Sequence, residues 1–444
     1  MAEIQLKSGW AQRMFVCTCG NGCVCAYAES GFDLCKRPAF RMSERYDIVV
    51  IGGGVVGLAV GREITRRFPR MRVTVLEKEA RVGSHQSGHN SGVIHSGVYY
   101  KPGSIKARTC VEGAAAMVEF CREHGVAYAI CGKVIVATSQ QEEPRLRDLL
   151  ERGRANGVGG LRMLGREELR EIEPHATGVA ALHVPGTGVT DYAKVCAKYA
   201  ELIVSQGGVV QTSIKVIGVR ARDGETVLET TGGAIAAGAV INCAGLFSDR
   251  ISRMAGERPE VQIVPFRGEY YDLVPERAEL VKALIYPVPD PRFPFLGVHF
   301  TRRIHGGVDA GPNAIFAFKR EGYRSGDFSL RDTVEALTFP GFWRVAATHW
   351  RMGKDEAQRS VSKASFVAGL QRLVPEVRAE DLVPGGSGVR AQAIHRSGAL
   401  VDDFQFSQTK NMLHLYNVPS PAATASIAIG RTVVEMAAVA WGWG

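Results

Sequence analysis

The stretch Tyr46-Asp-Ile-Val-Val-Ile-Gly-Gly-Gly-Val-Val-Gly57, followed by Val73-Thr-Val-Leu-Glu77, decides how this chain folds. An apolar run ends in a glycine turn, a helix-compatible segment follows, and a second apolar run closes on an acid. This is the G-x-G-x-x-G pattern in a βαβ context, with the acid about 20 residues on. Gly52 permits the tight turn out of the first strand. Gly54 lets a pyrophosphate approach the backbone, and Gly57 lets the helix pack closely on the strand. The helix N-terminus then offers free N–H groups to the phosphates. Glu77 accepts hydrogen bonds from ribose hydroxyls and repels a 2′-phosphate. Gly52, Gly53, Gly54, Val55, Val56, Gly57 and Glu77, with Lys78 beside the acid, form the candidate dinucleotide-binding set. The pattern alone does not separate FAD from NAD.

Working outward, 444 residues suffice for two domains with sizeable cores. No run of ~18 uncharged apolar residues exists, so no transmembrane helix is expected. The net charge of +9 is spread along the chain, which favours anionic small molecules or an anionic membrane surface over nucleic acid. Cys17, Cys19, Cys23, Cys25 and Cys35 crowd the N-terminus, at a spacing unlike ordinary zinc sites, so no metal is expected. Cys110, Cys121, Cys131, Cys196 and Cys243 read as small buried hydrophobes. Residues 1–41 read as a disordered extension, with Met42-Ser-Glu-Arg resembling a chain start.

Residues 77–100 are polar and glycine-rich, and too long for a plain linker. Residues 107–123, 142–156 and 167–173 read as helices, and 133–138 as a strand leaving the nucleotide domain. Residues 191–205 read as an amphipathic helix. Residues 208–212, 215–220 and 226–230 read as strands, and 239–248 as a buried strand entering a second glycine turn. From 261 to 317 the pattern becomes alternating and aromatic-rich, as in a mixed or antiparallel sheet. Residues 385–390 and 412–429 read as a return to the first domain, with a final helix over 423–437.

Several strings carry a resemblance. They include His85-Gln-Ser-Gly-His-Asn-Ser-Gly-Val-Ile-His-Ser-Gly-Val-Tyr-Tyr-Lys-Pro102, Asn242-Cys-Ala-Gly-Leu-Phe-Ser-Asp-Arg-Ile251 and Ile263-Val-Pro-Phe-Arg-Gly-Glu269. Arg292-Phe-Pro-Phe-Leu-Gly-Val-His-Phe-Thr301, Gly388-Val-Arg-Ala-Gln392 and Asn417-Val-Pro-Ser-Pro-Ala-Ala-Thr424 add to it. From about residue 46 to 436 the chain closely resembles the FAD-dependent L-2-hydroxyglutarate dehydrogenases and oxidases, within the D-amino-acid-oxidase-like superfamily. The resemblance implies FAD rather than NAD, and oxidation of L-2-hydroxyglutarate to 2-oxoglutarate. It implies an α/β fold: a Rossmann-like FAD-binding domain with a second, mixed or antiparallel-sheet substrate domain. The expected division is 42–132, 187–262 and 385–444 for FAD, and 133–186 and 263–384 for substrate.

The implied reaction passes a hydride from the hydroxyl-bearing carbon to flavin N5, while a base takes the hydroxyl proton. His suits proton removal near neutral pH, and Arg suits bidentate carboxylate binding. His95 and His299 are the candidate bases, and the choice between them stays open. In Leu296-Gly-Val-His-Phe300, alternation puts His299 opposite Val298 and Phe300, toward either solvent or the site. Arg267, Asn313, Lys319 and Arg390 are candidates for gripping carboxylates or the flavin carbonyl. His89, Asn90, Ser91 and Gly92 line the loop that the resemblance runs along the flavin. Val216, Ala244, Gly245, Ser420, Pro421 and Ala422 complete the implied cofactor contacts, with Ser420 opening the last helix. The alternatives are a glycine-type amino-acid oxidase, whose substrate needs fewer cations, and a flavoprotein that holds FAD structurally. Oxygen and a quinone are both open as electron acceptor. The expected location is cytoplasmic, with peripheral contact on the inner face of the membrane left open.

Overall fold

The fingerprint strand Met42–Ile51 sits at the centre of an eight-stranded sheet in a computed structural model that describes residues 14–19, 23–28, 42–222, 224–290 and 296–443. It pairs in parallel with Val73–Leu76 on one side and Gly233–Asn242 on the other. Val209–Gln211 adds a further parallel strand beyond Val73–Leu76. Gly233–Asn242 also pairs in parallel with Met412–Asn417, and antiparallel with Glu225–Thr230.

Period-2 alternation explains why this sheet is covered on both faces. Ile48 and Val50 join one core cluster, with Leu58 and Ile64 of the helix Val55–Arg67. Helices Ile105–Glu123, Tyr192–Ser205 and Ser426–Trp441 pack into the same cluster through Met117, Tyr199 and Val433. Val49 and Ile51 point the other way, into a cluster with Ile235 and Ile251. Cys110, Cys121 and Cys196 are buried free thiols, while Cys131 and Cys243 are partly buried.

The second sheet has nine strands and contains Lys133–Ala137, Ala180–Val184, Leu284–Pro287, His299–Arg302 and Val261–Leu273. Val134 and Val136 face a core built with Phe300, Phe366 and Leu370. Ile135 and Ala137 face another, built with Leu146 and Leu182.

Three elements differ from the sequence reading. The strand Leu382–His395 does not return at once to the first sheet, because it pairs along most of its length with Val261–Leu273. Its alternating Val389, Ala391 and Ala393 fit that ladder, and the chain rejoins the first sheet at Gln405–Gln408 and Met412–Asn417. The last helix begins at Ser426 rather than 423, because Thr424 Oγ1 is held outside it by Val93 O at 3.1 Å. Within the expected disordered extension, Met14–Cys19 and Cys23–Ala28 pair as an antiparallel hairpin, since both runs are rich in β-formers. The rest of residues 1–41, and 292–295 of the Arg292–Thr301 string, lie outside the described residues.

A buried charge network ties the helix Ser248–Met254 to the helix Leu330–Leu337 and the loop before it. Arg320 Nη2 donates to Asp249 Oδ2 at 2.9 Å, and Arg320 Nη1 to Leu246 O at 2.6 Å. The Arg320 N–H donates to Asp332 Oδ2 at 2.8 Å, and Arg250 Nε to Glu335 Oε2 at 2.9 Å. Asp249 and Arg320 are almost fully buried, so removing one leaves the other's charge uncompensated. Arg320→Met is therefore expected to lower the unfolding free energy by about 3–5 kcal/mol in urea denaturation. A loss below ~1 kcal/mol, the range of exposed pairs, contradicts the network's importance.

Candidate active site

A cavity of 770 Å³ touches the first sheet through Ile51, Gly52, Leu76 and Glu77, and the second through Tyr270, Tyr286, His299 and Arg390. Its first-sheet end is built by backbone. Gly52 has φ +110°, and a Cβ on Gly57 would lie 2.0 Å from Gly52 O. Only glycine therefore lets the helix Val55–Arg67 begin this close to the strand. Gly54, Val55 and Val56 at the helix start line the cavity, and Gly54 gives the helix no side-chain cap. The Val55 N–H donates to Ser87 Oγ at 2.9 Å, and the helix start otherwise opens onto the cavity.

The acid is fixed by the same turn. Glu77 Oε2 accepts from Gly53 N at 2.8 Å, and Glu77 Oε1 from Glu79 N at 2.9 Å. Gly53 and Gly57 themselves shape the turn without lining the cavity. Lys78 lines it, but its amine is paired with Glu321 at 2.7 Å and with Glu79. Val216, Ala244 and Gly245 close the wall from the far side of the sheet.

The glycine-rich loop runs along the cavity. His89, Asn90 and Ser91 line it. Asn90 holds the loop shape, donating to Ser87 O at 2.7 Å and accepting from Gly92 N at 2.8 Å. His89 stacks on Tyr323, with ring centroids 4.1 Å apart. Gly92 does not line the cavity; its carbonyl accepts from Thr190 N at 2.8 Å. Ser420, Pro421 and Ala422 line the cavity as a turn, not as a helix N-terminus.

His95 is positioned by that C-terminal turn. Its N–H donates to Thr424 Oγ1 at 3.0 Å, and Tyr192 OH meets both Thr424 Oγ1 and Val93 O at 3.0 Å. His299 comes from the opposite sheet. Its Nδ1 lies 2.8 Å from Gly297 O, which makes Nδ1 the protonated nitrogen and leaves Nε2 a lone pair. The Tyr286 ring sits 3.9 Å from the His299 ring, centroid to centroid. Burial pushes both imidazoles down to about 3, helped by the positive charge of Lys133 at His95 and of Arg390 and Lys133 at His299. Arg390 lines the cavity and is held beside Tyr270 and Tyr286.

Three expected substrate-binding residues are not brought to the cavity. Arg267 Nη2 pairs with Glu269 Oε1 at 2.9 Å, and Arg267 Nη1 donates to Arg324 O at 3.0 Å. Asn313 Nδ2 donates to Glu269 Oε2 at 2.8 Å and Asn313 Oδ1 accepts from Glu269 N at 2.7 Å. The physical reason is the strand period: Gly268 and Tyr270 face the cavity, so Arg267 and Glu269 face away. Lys319 is half-exposed and also outside the lining; its neighbour Arg320 is the buried cation. Conversely, Tyr99, Tyr100, Tyr270, Tyr286 and Gln392 line the cavity without having been singled out. The aromatic alternation after 261 was the signal for Tyr270 and Tyr286. Lys133, a lone charge opening the buried strand Lys133–Ala137, was another overlooked signal.

This combination of strand–turn–helix, ribose acid and long two-sheet cavity fits a flavin dinucleotide. The profile of the family described as "FAD dependent oxidoreductase" matches residues 47–436. The chain belongs to this FAD-dependent oxidoreductase family, and FAD is its cofactor. Within the family it is similar to enzymes named L-2-hydroxyglutarate dehydrogenase. It is 50% identical to that of Indibacter alkaliphilus over 88% of this chain and 98% of the relative. It is 45% identical to the human mitochondrial enzyme over 90% of each, and 46% identical to that of Escherichia coli K12 over 88% and 92%. The fold matches L-alpha-glycerophosphate oxidase of Mycoplasma pneumoniae with FAD bound, at TM-score 0.74 and 21% identity, covering 90% of this chain and 95% of that one. It also matches glycine oxidase of Geobacillus kaustophilus, at TM-score 0.65 and 21% identity, over 88% and 94%.

The depressed histidines make a stability prediction. His299 is held neutral down to about pH 3, against 6.5 for a free imidazole. Between those values the unfolded chain binds more protons, so stability falls as pH drops through the window. His299→Asn should make the melting temperature less dependent on pH there. An unchanged slope contradicts the buried, neutral assignment.

Proposed function

We propose that this chain oxidises L-2-hydroxyglutarate to 2-oxoglutarate. The observation that carries the reading is the meeting of Arg390, His299 and His95 at one end of the FAD cavity. The similarity to named L-2-hydroxyglutarate dehydrogenases over most of the chain supports the same substrate. When bound, FAD supplies the two-electron acceptor. Gly54, Val55, Val56 and Glu77 hold its pyrophosphate and ribose end, and His89, Asn90, Ser91 and the 420–422 turn hold the rest. Arg390 takes the carboxylate next to the reacting carbon, where its planar fork fits two oxygens. His299 Nε2 takes the hydroxyl proton, because Gly297 O fixes the tautomer that leaves this nitrogen basic. Gly297 O also stabilises the imidazolium that forms, since Nδ1–H keeps its acceptor. His95 is the second imidazole, its backbone N–H anchored by Thr424, and it orients the hydroxyl.

Anaerobic incubation of the FAD-loaded protein with L- and D-2-hydroxyglutarate, L-malate and glycine tests the reading. Only L-2-hydroxyglutarate should bleach the flavin absorbance fully; bleaching by glycine alone supports a glycine-type oxidase instead. His299→Asn should lower kcat by roughly 10²–10⁴-fold with FAD content unchanged, the range for losing a general base. Full turnover in this variant contradicts the role.

The electron acceptor we favour is a membrane quinone, with oxygen as the other reading. Among the described residues no helix is long and apolar enough to cross a membrane. A face of the second sheet's helices nevertheless exposes Phe328, Leu330, Trp343 and Trp350. Ring contacts link Phe328 through Phe318, Phe316 and Phe342 to Trp343. Arg324, Arg331 and Lys354 are exposed in the same 324–354 segment, and basic residues beside apolar ones suit a surface that meets anionic lipid. The protein should cosediment with vesicles of mixed zwitterionic and anionic phospholipid, and Leu330→Ser with Trp343→Ser should abolish this. Equal sedimentation of the variant contradicts the proposed face.

A further inference from the structure

Lys133 opens the strand Lys133–Ala137, all five residues of which are buried. Its side chain is only 1% exposed, and its Nζ has no hydrogen-bond partner. The ammonium lies 4.4 Å from the centre of the Tyr99 ring and 5.1 Å from that of Tyr286. Both rings line the cavity at the His299–Arg390 end. The Tyr99 hydroxyl and His95 Nδ1 are likewise buried without partners. Lys133 itself is not among the residues that line the cavity; its Nζ lies against the two lining rings, near the Tyr99 hydroxyl and His95 Nδ1, and buried polar groups ordinarily find partners. Burial pushes the Lys133 amine down to about 7, so holding its charge here without a partner is costly, and a methionine or leucine would suit a plain core strand better.

The groups facing Lys133 are Tyr99, Tyr286, His95, His299 and Cys110. None is a carboxylate, and among the described residues none forms an ion pair with it. Of the other cations lining the cavity, Lys78 pairs with Glu321, Lys106 with Asp402, and Arg250 with Asp332 and Glu335, while Arg152 and Lys215 are exposed to solvent. A dicarboxylate carries two anionic groups, and Arg390 accounts for one of them.

We propose that Lys133 is a specificity-determining residue: its ammonium, with the Tyr99 hydroxyl, receives the second carboxylate of a dicarboxylate substrate. The tyrosine rings form a low-dielectric wall against which the cation rests. A carboxylate entering this corner gains a charge-assisted hydrogen bond and supplies the counter-charge that the fold omits. A 2-hydroxy acid with a methyl group in that place leaves the ammonium unpaired, so rejection comes from the site's own unmet need. This assignment rests on the proposed reaction for the identity of the dicarboxylate.

The test compares L-2-hydroxyglutarate with L-2-hydroxypentanoate, in which a methyl group replaces the distal carboxylate. The enzymes are FAD-loaded wild type, Lys133→Met and Lys133→Arg. Lys133→Met should lower kcat/KM for the dicarboxylate by ~30-fold or more, mainly through KM, and change the monocarboxylate by less than ~3-fold. Lys133→Arg, which keeps the charge, should restore part of the preference. Equal losses on both substrates mean a merely structural lysine and overturn the proposal. Should Lys133→Met fail to fold, Lys133→Gln carries the same comparison. If wild type leaves L-2-hydroxyglutarate unoxidised, the proposed reaction fails, and calorimetric binding of glutarate against butyrate decides the role of Lys133. Glutarate binding that is weakened selectively in Lys133→Met upholds it; absent or unchanged glutarate binding overturns it.

Discussion

The site depends first on how closely one backbone approaches another. The helix Val55–Arg67 starts so near the fingerprint strand that any side chain on Gly57 would strike Gly52 O. That approach aims the helix N-terminus into the cavity rather than across it. The same turn presents the Gly53 N–H to Glu77, so the ribose acid and the phosphate cradle are one rigid unit. These residues do no chemistry; in the proposed reading they would hold the phosphate and ribose end of FAD.

The reacting end is assembled from three distant parts of the chain. The loop after Glu77 supplies His95, the second sheet supplies His299 and Arg390, and the turn before the last helix locks His95 through Thr424. The electrostatics of this end are unusual. Arg390 and Lys133 bring positive charge into a dry corner, and that charge together with burial keeps both imidazoles neutral. A neutral imidazole beside a fixed guanidinium is what removing a proton from a bound hydroxy acid needs. An imidazolium there would be repelled by Arg390 and Lys133 and would hold no lone pair to accept the proton.

Much of this was legible in the sequence where the signal was local. The glycines, Glu77 and the 85–100 loop are contiguous strings, whereas alternation in 296–300 put His299 opposite Val298 and Phe300 without deciding between solvent and the cavity. Arg267 and Asn313 were misread because their partner, Glu269, lies on the ladder face turned from the cavity. Counting by twos from Tyr270 would have separated Gly268 from Arg267. Lys319 was chosen over Arg320 because sequence gives no measure of burial for adjacent cations. The pairing of Leu382–His395 with Val261–Leu273 was invisible because about 110 residues separate the partners, and long-range pairing leaves no local trace.

Central to the account is the claim that the His299–Arg390 end receives a 2-hydroxy acid whose C2–H bond breaks as the flavin is reduced. Rapid anaerobic mixing of the FAD-loaded protein with L-2-hydroxyglutarate, carrying either hydrogen or deuterium at C2, measures this directly. The account predicts slower flavin reduction with deuterium, and a similar isotope effect but far slower reduction in His299→Asn. Identical rates for the two isotopologues at saturating substrate, with His299→Asn as fast as wild type, would contradict it.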